Sequence, residues 1–277
     1  MQLLFNSEYS MINSNILDSN IGGRKGKSFI NHIWVLNSII HEEINSKSGS
    51  PVLFQQYDYR QMFDSMSLQE ACSDLYDIGL KSDKLKLLYN ANKQVKIKVK
   101  TPSGHKQETD IREVVMQGDT WAITMDSVQC DAFGKELLEE NVSYLYKYKG
   151  RVPVGILGQI DDLIWVTEPG YKAQQMNTYL NVRTADKNLQ FGPDKCKTML
   201  LANTRKKFNF LETKLEVDHW NTTHDDEGKI TDTYTGKTEM ENVNTIMYLD
   251  VKISCDGKNK QNIVHKRNKS FGTHKQK

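Results

Sequence analysis

Two acidic positions, Asp58 and the pair Asp161 and Asp162, have the residue type and the setting for chemistry on phosphate groups. Each ends or interrupts an apolar run typical of a buried strand, where an unpaired carboxylate is strongly disfavoured unless a cation or donor meets it. Two strands ending in acids can jointly hold two Mg²⁺ ions about 3.5–4 Å apart, the arrangement used for nucleotidyl transfer. The alternative is that these are turn acids, because Asp is common where strands end.

The elements that must position these acids are strands mixed with helices. Helical spacing and a capping box predict helices over residues 29–44, 67–75, 125–137 and 173–187. Apolar runs and alternation predict strands over residues 52–54, 95–99, 111–115, 154–157, 163–166, 199–201 and 248–253. The apolar face predicted for the first helix is Phe29, Ile33, Leu36, Ile40 and Ile44. Residues 218–243 are polar and acidic, so we expect a mobile excursion there. The irregular order of elements indicates an α+β fold rather than a doubly wound sheet.

Composition excludes several classes of protein. With 277 residues, 38% apolar and 26% charged, the chain has the make-up of a globular protein of one large or two small domains. No run approaches 18 apolar residues, so no membrane span is predicted. The four cysteines are widely spaced, which predicts neither a zinc site nor a disulfide framework. We therefore expect an intracellular protein of the cytoplasm and nucleus that is not secreted.

Three other features have less specific interpretations. The strand bearing Lys96, Lys98 and Lys100 and the tail 258–277 are basic, and such clusters either contact phosphates or form solvated faces. The segment 26–28 is similar to the end of a nucleotide-binding loop, but Ile21 stands where the first glycine is required. The group His219, His224, Asp225 and Asp226 lacks the spacing of metal ligands.

Six short motifs follow one another in an order that one family of polymerases shares. They lie at residues 18–28, 58–64, 115–119, 160–163, 189–195 and 247–251. In this order, the motifs contain an arginine segment, an Asp followed by a Phe-Asp pair, a Gln-Gly pair, an Asp-Asp pair, a lysine segment and a Tyr-Leu pair. In the last motif, Asp250 stands at the position of a frequent glycine. From about Asp18 to Arg267 the chain resembles the palm of a reverse transcriptase of a non-long-terminal-repeat, LINE-like retroelement.

The resemblance implies a role for each matched residue. Asp58 and Asp161 are the implied metal ligands, together with the backbone carbonyl of Tyr59, and Asp162 is the third catalytic acid. Phe63 is implied beneath the incoming sugar, where its ring excludes a 2′-hydroxyl. The residues implied to contact nucleotide or primer–template are Tyr59, Phe63, Gln117, Gly118, Lys195, Tyr248 and Leu249. Lys195 is expected to reach the departing pyrophosphate.

The same resemblance implies domains, cofactor and partners. Residues 1–50 correspond to partial fingers and an entry helix, 51–255 to the palm with a polar excursion at about 215–245, and 256–277 to a basic tail that starts a truncated thumb connection. The implied fold is α+β, a right-hand polymerase palm with an antiparallel sheet backed by helices. The implied cofactor is a pair of Mg²⁺ ions, which Mn²⁺ can replace. The implied partners are an RNA template, a DNA primer and dNTPs, and no membrane partner is expected. The remaining polyprotein domains are absent from this chain, so we expect poor activity from it alone.

Two further hypotheses share these motifs. A non-catalytic relic would keep the palm fold and bind nucleic acid, or merely fold, without polymerising. The retained acids argue against a relic, because decay does not favour keeping costly carboxylates. An RNA-templated RNA polymerase has the same two-acid arrangement, and Phe63 argues against it.

Overall fold

The computed structural model describes residues 21, 26–45, 51–60, 62–98, 100–102, 104–105, 109–112, 115, 121–146, 152–160, 162–187, 189–202, 214–224 and 230–257. Its helices are α1 (Phe29–Asn45), α2 (Met62–Ser65), α3 (Leu68–Asp77), α4 (Ser82–Asn92), α5 (Ala122–Glu139) and α6 (Tyr171–Asp186). Its first strands are β1 (Val52–Tyr57), β2 (Gln94–Ile97), β3 (Lys100–Thr101), β4 (Gly104–His105), β5 (Thr109–Arg112), β6 (Tyr144–Tyr146) and β7 (Val152–Val154). The later strands are β8 (Ile156–Gln159), β9 (Asp162–Thr167), β10 (Lys197–Leu201), β11 (Glu216–His224), β12 (Ile230–Glu239), β13 (Glu241–Asn242), β14 (Thr245–Tyr248) and β15 (Val251–Ser254).

A five-stranded sheet in the order β13-β10-β1-β9-β8 forms the centre of the fold. All neighbours are antiparallel except β10 and β13. The central strand β1 pairs with β9 so that Tyr57 lies opposite Leu163. Asp58 follows Tyr57, and Asp162 precedes Leu163, so these two acids enter the same end of the sheet. The α+β fold of the palm type, with an antiparallel sheet backed by helices, is confirmed.

Alternation along β1 divides the interior into two cores. Leu53 and Tyr57 pack in a core with residues of α3, α5 and α6, whereas Val52 and Phe54 pack on the opposite face with α1 and the β14–β15 hairpin. Because side chains two apart on a strand share a face, Gln56 projects toward the second core. Strand β1 therefore lies between a layer of helices on one face and helix α1 with the β14–β15 hairpin on the other.

Helix α1 exists as predicted, but its buried face is rotated relative to the expected one. Phe29 is 44% exposed, and the buried residues are His32, Leu36, Ile39, Ile40 and Glu43. Both buried polar groups have tyrosine partners: His32 Nδ1 lies 2.8 Å from the hydroxyl of Tyr248, and Tyr144 donates to Glu43. Partners from distant strands thus decided which face turns inward.

The predicted polar excursion is not irregular where it is described. Strands β11 and β12 form a long antiparallel hairpin whose register shifts between His219 and Trp220. Its base is bound to α6, because the side-chain amides of Asn177 and Asn181 both donate to the backbone carbonyl of Glu216. No strand was predicted over residues 218–243, whereas residues 216–224 and 230–239 form paired strands.

Other predictions are confirmed in outline. Ser67 caps α3 by accepting from the Glu70 amide at 3.4 Å, as the capping box predicts. The basic strand β2 pairs with β5 in the expected hairpin. The single strand predicted over 248–253 is instead two strands joined by a turn at Leu249 and Asp250. Among the described helices, none is long and apolar enough to cross a membrane.

Candidate active site

Asp58 stands directly after the central strand, at the edge of a cleft. The cleft has a volume of about 470 Å³ and is lined by Gln56, Asp58, Asp194, Lys195, Lys197, Thr245, Ile246, Met247 and Lys252. The Asp58 side chain is 32% exposed, so its carboxylate reaches both the protein and the cleft. A partly exposed carboxylate at the end of a strand can bind a cation. The three lysines that line the same cleft can bind phosphate groups.

The acidic hairpin lies beside Asp58. Strands β8 and β9 pair up to Gln159 and Asp162, which leaves two residues for the turn. The first, Ile160, has φ of 56°, a rare conformation for a β-branched residue and one that stores strain. Asp161, Gln117 and Gly118 lie outside the described residues, so their predicted roles stay predictions.

The lysine segment is fixed to the backbone around Asp58. The amide of Gly192 donates to the Asp58 carbonyl at 2.8 Å, and the amide of Arg60 donates to the Gln190 carbonyl at 2.7 Å. Between these bonds, the rings of Tyr59 and Phe191 stack with centroids 5.0 Å apart. A Cβ at Gly192 would meet only ordinary contacts, so no steric need for glycine is seen there. This attachment brings Lys195 close to Asp58, and both were predicted as site residues.

Lys195 forms an ion pair with Asp58. Its Nζ lies 2.9 Å from Asp58 Oδ1. The next residue, Cys196, is buried, and its Sγ lies 3.8 Å from the Asp58 carbonyl. Burial raises the pKa of the Cys196 thiol to about 12, and the nearby Asp58 carboxylate adds to the rise. Cys196 is therefore a neutral packing residue, whereas Lys195 supplies the positive charge at Asp58.

The β14–β15 hairpin, whose strands and turn carry Tyr248 and Leu249, closes the other side of the cleft. Its turn residues Leu249 and Asp250 have φ of 50° and 61°. Positive φ at both central residues is the requirement of a type I′ turn, which Asn-Gly usually satisfies. The hairpin therefore forms although Asp250 occupies the position of a frequent glycine.

Tyr248 and Phe63 both contribute to packing. The Tyr248 side chain is fully buried, and burial followed by the charge of Asp162 raises its pKa well above the ordinary value. Tyr248 therefore stays protonated, and any contact of this residue with a substrate is through its backbone. Phe63, in α2, is half-buried and packs against the helical core, an arrangement that leaves part of its ring accessible.

A hard divalent cation fits the donors that are described. Mg²⁺ prefers carboxylate oxygens and keeps several waters, so it needs few protein ligands. Asp58 offers such oxygens and already attracts an ammonium group, and Asp162 begins the neighbouring strand. Within the described ranges, no cluster of three or more His, Cys, Asp or Glu residues is present.

Four cleft residues with a charged or amide side chain were not predicted as site residues from the sequence: Gln56, Asp194, Lys197 and Lys252. Gln56 carried a detectable signal, because it lies two residues before Asp58 and, if the extended backbone continues, shares its face. Lys197 and Lys252 carried none, since their proximity depends on how β10 and β15 pack in three dimensions.

The fold belongs to the reverse-transcriptase-like class, with a palm-type sheet. Telomerase from Candida tropicalis, in complex with a TWJ fragment of telomeric RNA, is similar with a TM-score of 0.56 and 9% identity, over 94% of this chain and 37% of that one. Apo telomerase from Candida tropicalis gives 0.55 and 9%, over 92% and 39%. Telomerase from Candida albicans, with the same kind of RNA fragment, gives 0.51 and 12%, over 75% and 35%.

These likenesses define the fold and no more, because the identities are low. The chain spans 35–39% of the length of these three telomerase chains. Comparison with protein-family models and with curated proteins gives no match.

Proposed function

We propose that this chain is the palm of an RNA-directed DNA polymerase of the LINE-like retroelement type, which transfers dNTPs onto a primer. The observation that carries the proposal is the ion pair between Lys195 and Asp58 at the end of the central strand, beside the hairpin that begins β9 with Asp162. It unites two motifs that lie far apart in the sequence. The reverse-transcriptase-like fold supports the same proposal.

Asp58 and Asp161, with the Tyr59 carbonyl, are the residues proposed to hold two Mg²⁺ ions, or Mn²⁺ in their place. When bound there, these ions would activate the primer 3′-oxygen and neutralise the triphosphate. Lys195 then leaves Asp58 and donates a proton from Nζ to the departing pyrophosphate. This role explains why a lysine is held at the acid yet remains largely exposed.

Other residues orient the substrates. In this proposal Phe63 excludes the 2′-hydroxyl, and Gln117 and Gly118, which lie outside the described residues, contact the nucleotide and template through their backbone. Leu249 and the backbone of Tyr248 support the primer end. The proposed partners are an RNA template and a DNA primer; two telomerases of similar fold are complexed with an RNA fragment.

Primer extension on an annealed RNA template, with dNTPs and Mg²⁺, tests the proposal. We expect extension by the wild-type chain, none by Asp58→Asn or Asp161→Asn, and wild-type extension by Asp77→Asn, an exposed acid at the end of α3. Undiminished extension by Asp161→Asn would overturn the metal assignment. Binding of the RNA–DNA hybrid by the wild-type chain without metal-dependent extension would favour the non-catalytic relic.

A further inference from the structure

The β14–β15 hairpin is a separate two-stranded unit. Its strands pair with each other and not with the five-stranded sheet. Its base is tied to the sheet through backbone, because the Val243 amide donates to the Thr198 carbonyl at 2.8 Å. Two hydrogen bonds near its tip, at Met247 and Tyr248, are made by side chains, and the Tyr248 ring also packs in the core. Single substitutions can therefore remove these hydrogen bonds without changing the backbone.

The first side-chain tie comes from the strand that carries Asp58. Nε2 of Gln56 donates to the Met247 carbonyl at 2.6 Å. Gln56 and Asp58 lie two apart along the strand direction and so share a face. One side-chain hydrogen bond, from Gln56, thus connects the strand that leads to Asp58 with the hairpin tip.

The second tie leads to the acidic hairpin. The Tyr248 hydroxyl donates to the Leu157 carbonyl at 3.0 Å and lies 2.8 Å from His32 Nδ1. Because a hydroxyl has a single proton, donation to Leu157 requires that His32 donate from Nδ1. Leu157 lies on β8, the strand that enters the Ile160–Asp161 turn.

We propose that Gln56 and Tyr248 are positioning residues that set the place of the hairpin tip relative to Asp58 and to strand β8. The proposal rests on the proposed function, in which the tip supports the primer end. Loss of either tie lets the tip move, so the primer binds less well while the nucleotide site is preserved. The Gln56 tie is one hydrogen bond, and the Tyr248 hydroxyl takes part in two. Loss of a hydrogen bond corresponds to a change of about 3–10-fold in an equilibrium constant.

Two conservative variants test the proposal. Gln56→Met keeps the length of the side chain and removes the amide donor, and Tyr248→Phe removes only the hydroxyl. We expect each to raise the KM for primer–template by about 3–10-fold, leave the KM for dNTP within about twofold, and speed hydrogen exchange over residues 245–254. Tyr144→Phe is the matched control, because it removes another buried hydroxyl that faces α1 but contacts Glu43.

Unchanged exchange and unchanged primer–template KM in both variants would overturn the proposal. Equal acceleration of exchange in Tyr144→Phe would also overturn it, because the effect would then be general loosening. Hydrogen exchange needs no activity, so it still decides whether the ties hold the hairpin if the wild-type chain extends no primer. Absence of extension by the wild-type chain would contradict the proposed function without contradicting the positioning role of Gln56 and Tyr248.

Discussion

The ammonium group of Lys195 lies 2.9 Å from the carboxylate of Asp58, although 136 residues separate them in the chain. In the absence of a metal ion, the lysine neutralises the acid that is proposed to bind one. The pair is partly exposed, so solvent and salt weaken it. Lysine and metal ion must compete for the same oxygens.

The competition predicts that Lys195→Met binds divalent ions more tightly than the wild type. An exposed pair of this kind contributes at most about 1 kcal/mol, so we expect no more than about a fivefold gain in Mn²⁺ affinity. Electron paramagnetic resonance of free Mn²⁺ at low ionic strength measures the change. Lys172→Met, which loses a pair with Glu168 outside the cleft, should not alter it. An unchanged or weaker affinity in Lys195→Met contradicts the competition.

Phe63→Ala should relax the choice between deoxyribonucleotides and ribonucleotides. Removing the ring removes the clash with a 2′-hydroxyl, so we expect the ratio of kcat/KM for dNTP over rNTP to fall by roughly tenfold or more. Single-nucleotide incorporation measures both terms. Tyr76→Ala, which truncates an exposed aromatic residue of α3, should keep the wild-type ratio. If Phe63→Ala keeps it too, Phe63 is a packing residue only.

Asp250→Gly should stabilise the hairpin turn. Glycine adopts positive φ without the Cβ conflict of other residues, so we expect the free energy of unfolding to rise by about 0.5–1 kcal/mol. Urea denaturation measures it. Asp256→Gly, at a position without positive φ, should give no gain. A loss of stability in Asp250→Gly shows that the aspartate makes a compensating contact.

Lys187→Met should strongly destabilise the junction of α3 and α6. Lys187 Nζ lies 2.7 Å from Asp74 Oδ1, and their side chains are 15% and 8% exposed. Removing the lysine strands a buried carboxylate, which costs about 3–5 kcal/mol of unfolding free energy. The double variant Lys187→Met with Asp74→Asn should recover much of the loss in urea denaturation. No recovery would mean that lysine packing, not charge, is responsible.

The defect of Lys187→Met should depend on pH. Burial raises the pKa of Asp74 above its ordinary value, and Lys187 opposes that rise. Without the lysine the folded pKa rises further, so the protonated carboxyl favours the folded state below the unfolded pKa and this contribution disappears as pH rises through the folded pKa. The difference from the wild type should be smaller at pH 4 than at pH 7. An equal difference at both values contradicts a stranded charge.

The sequence predicted the elements whose patterns are local. The strand before Asp58, the two strands flanking the acidic pair and the Ser67 cap depend on residues within a few positions of each other. The acids could therefore be assigned to strand ends, and the palm-type fold followed from the order of motifs.

What the sequence could not predict depends on distant partners. The inward face of α1 is decided by Tyr144 and Tyr248, more than a hundred residues away. The tie from Gln56 to Met247 needs the hairpin to pack beside β1. Strands β11 and β12 were missed for another reason: their polarity suggested disorder, whereas threonine and tyrosine also favour strands.

The two polar contacts of α1 also fix the helix along its own axis. His32 and Glu43 are eleven residues apart, about 16 Å of helix, and each contacts a tyrosine from a different strand. Sliding the helix by one turn would separate both pairs at once and break the buried hydrogen bonds between them. Helix α1 is thus held at two points, by β6 and by β14, and insertions or deletions inside it should be tolerated far less than those in its flanking loops.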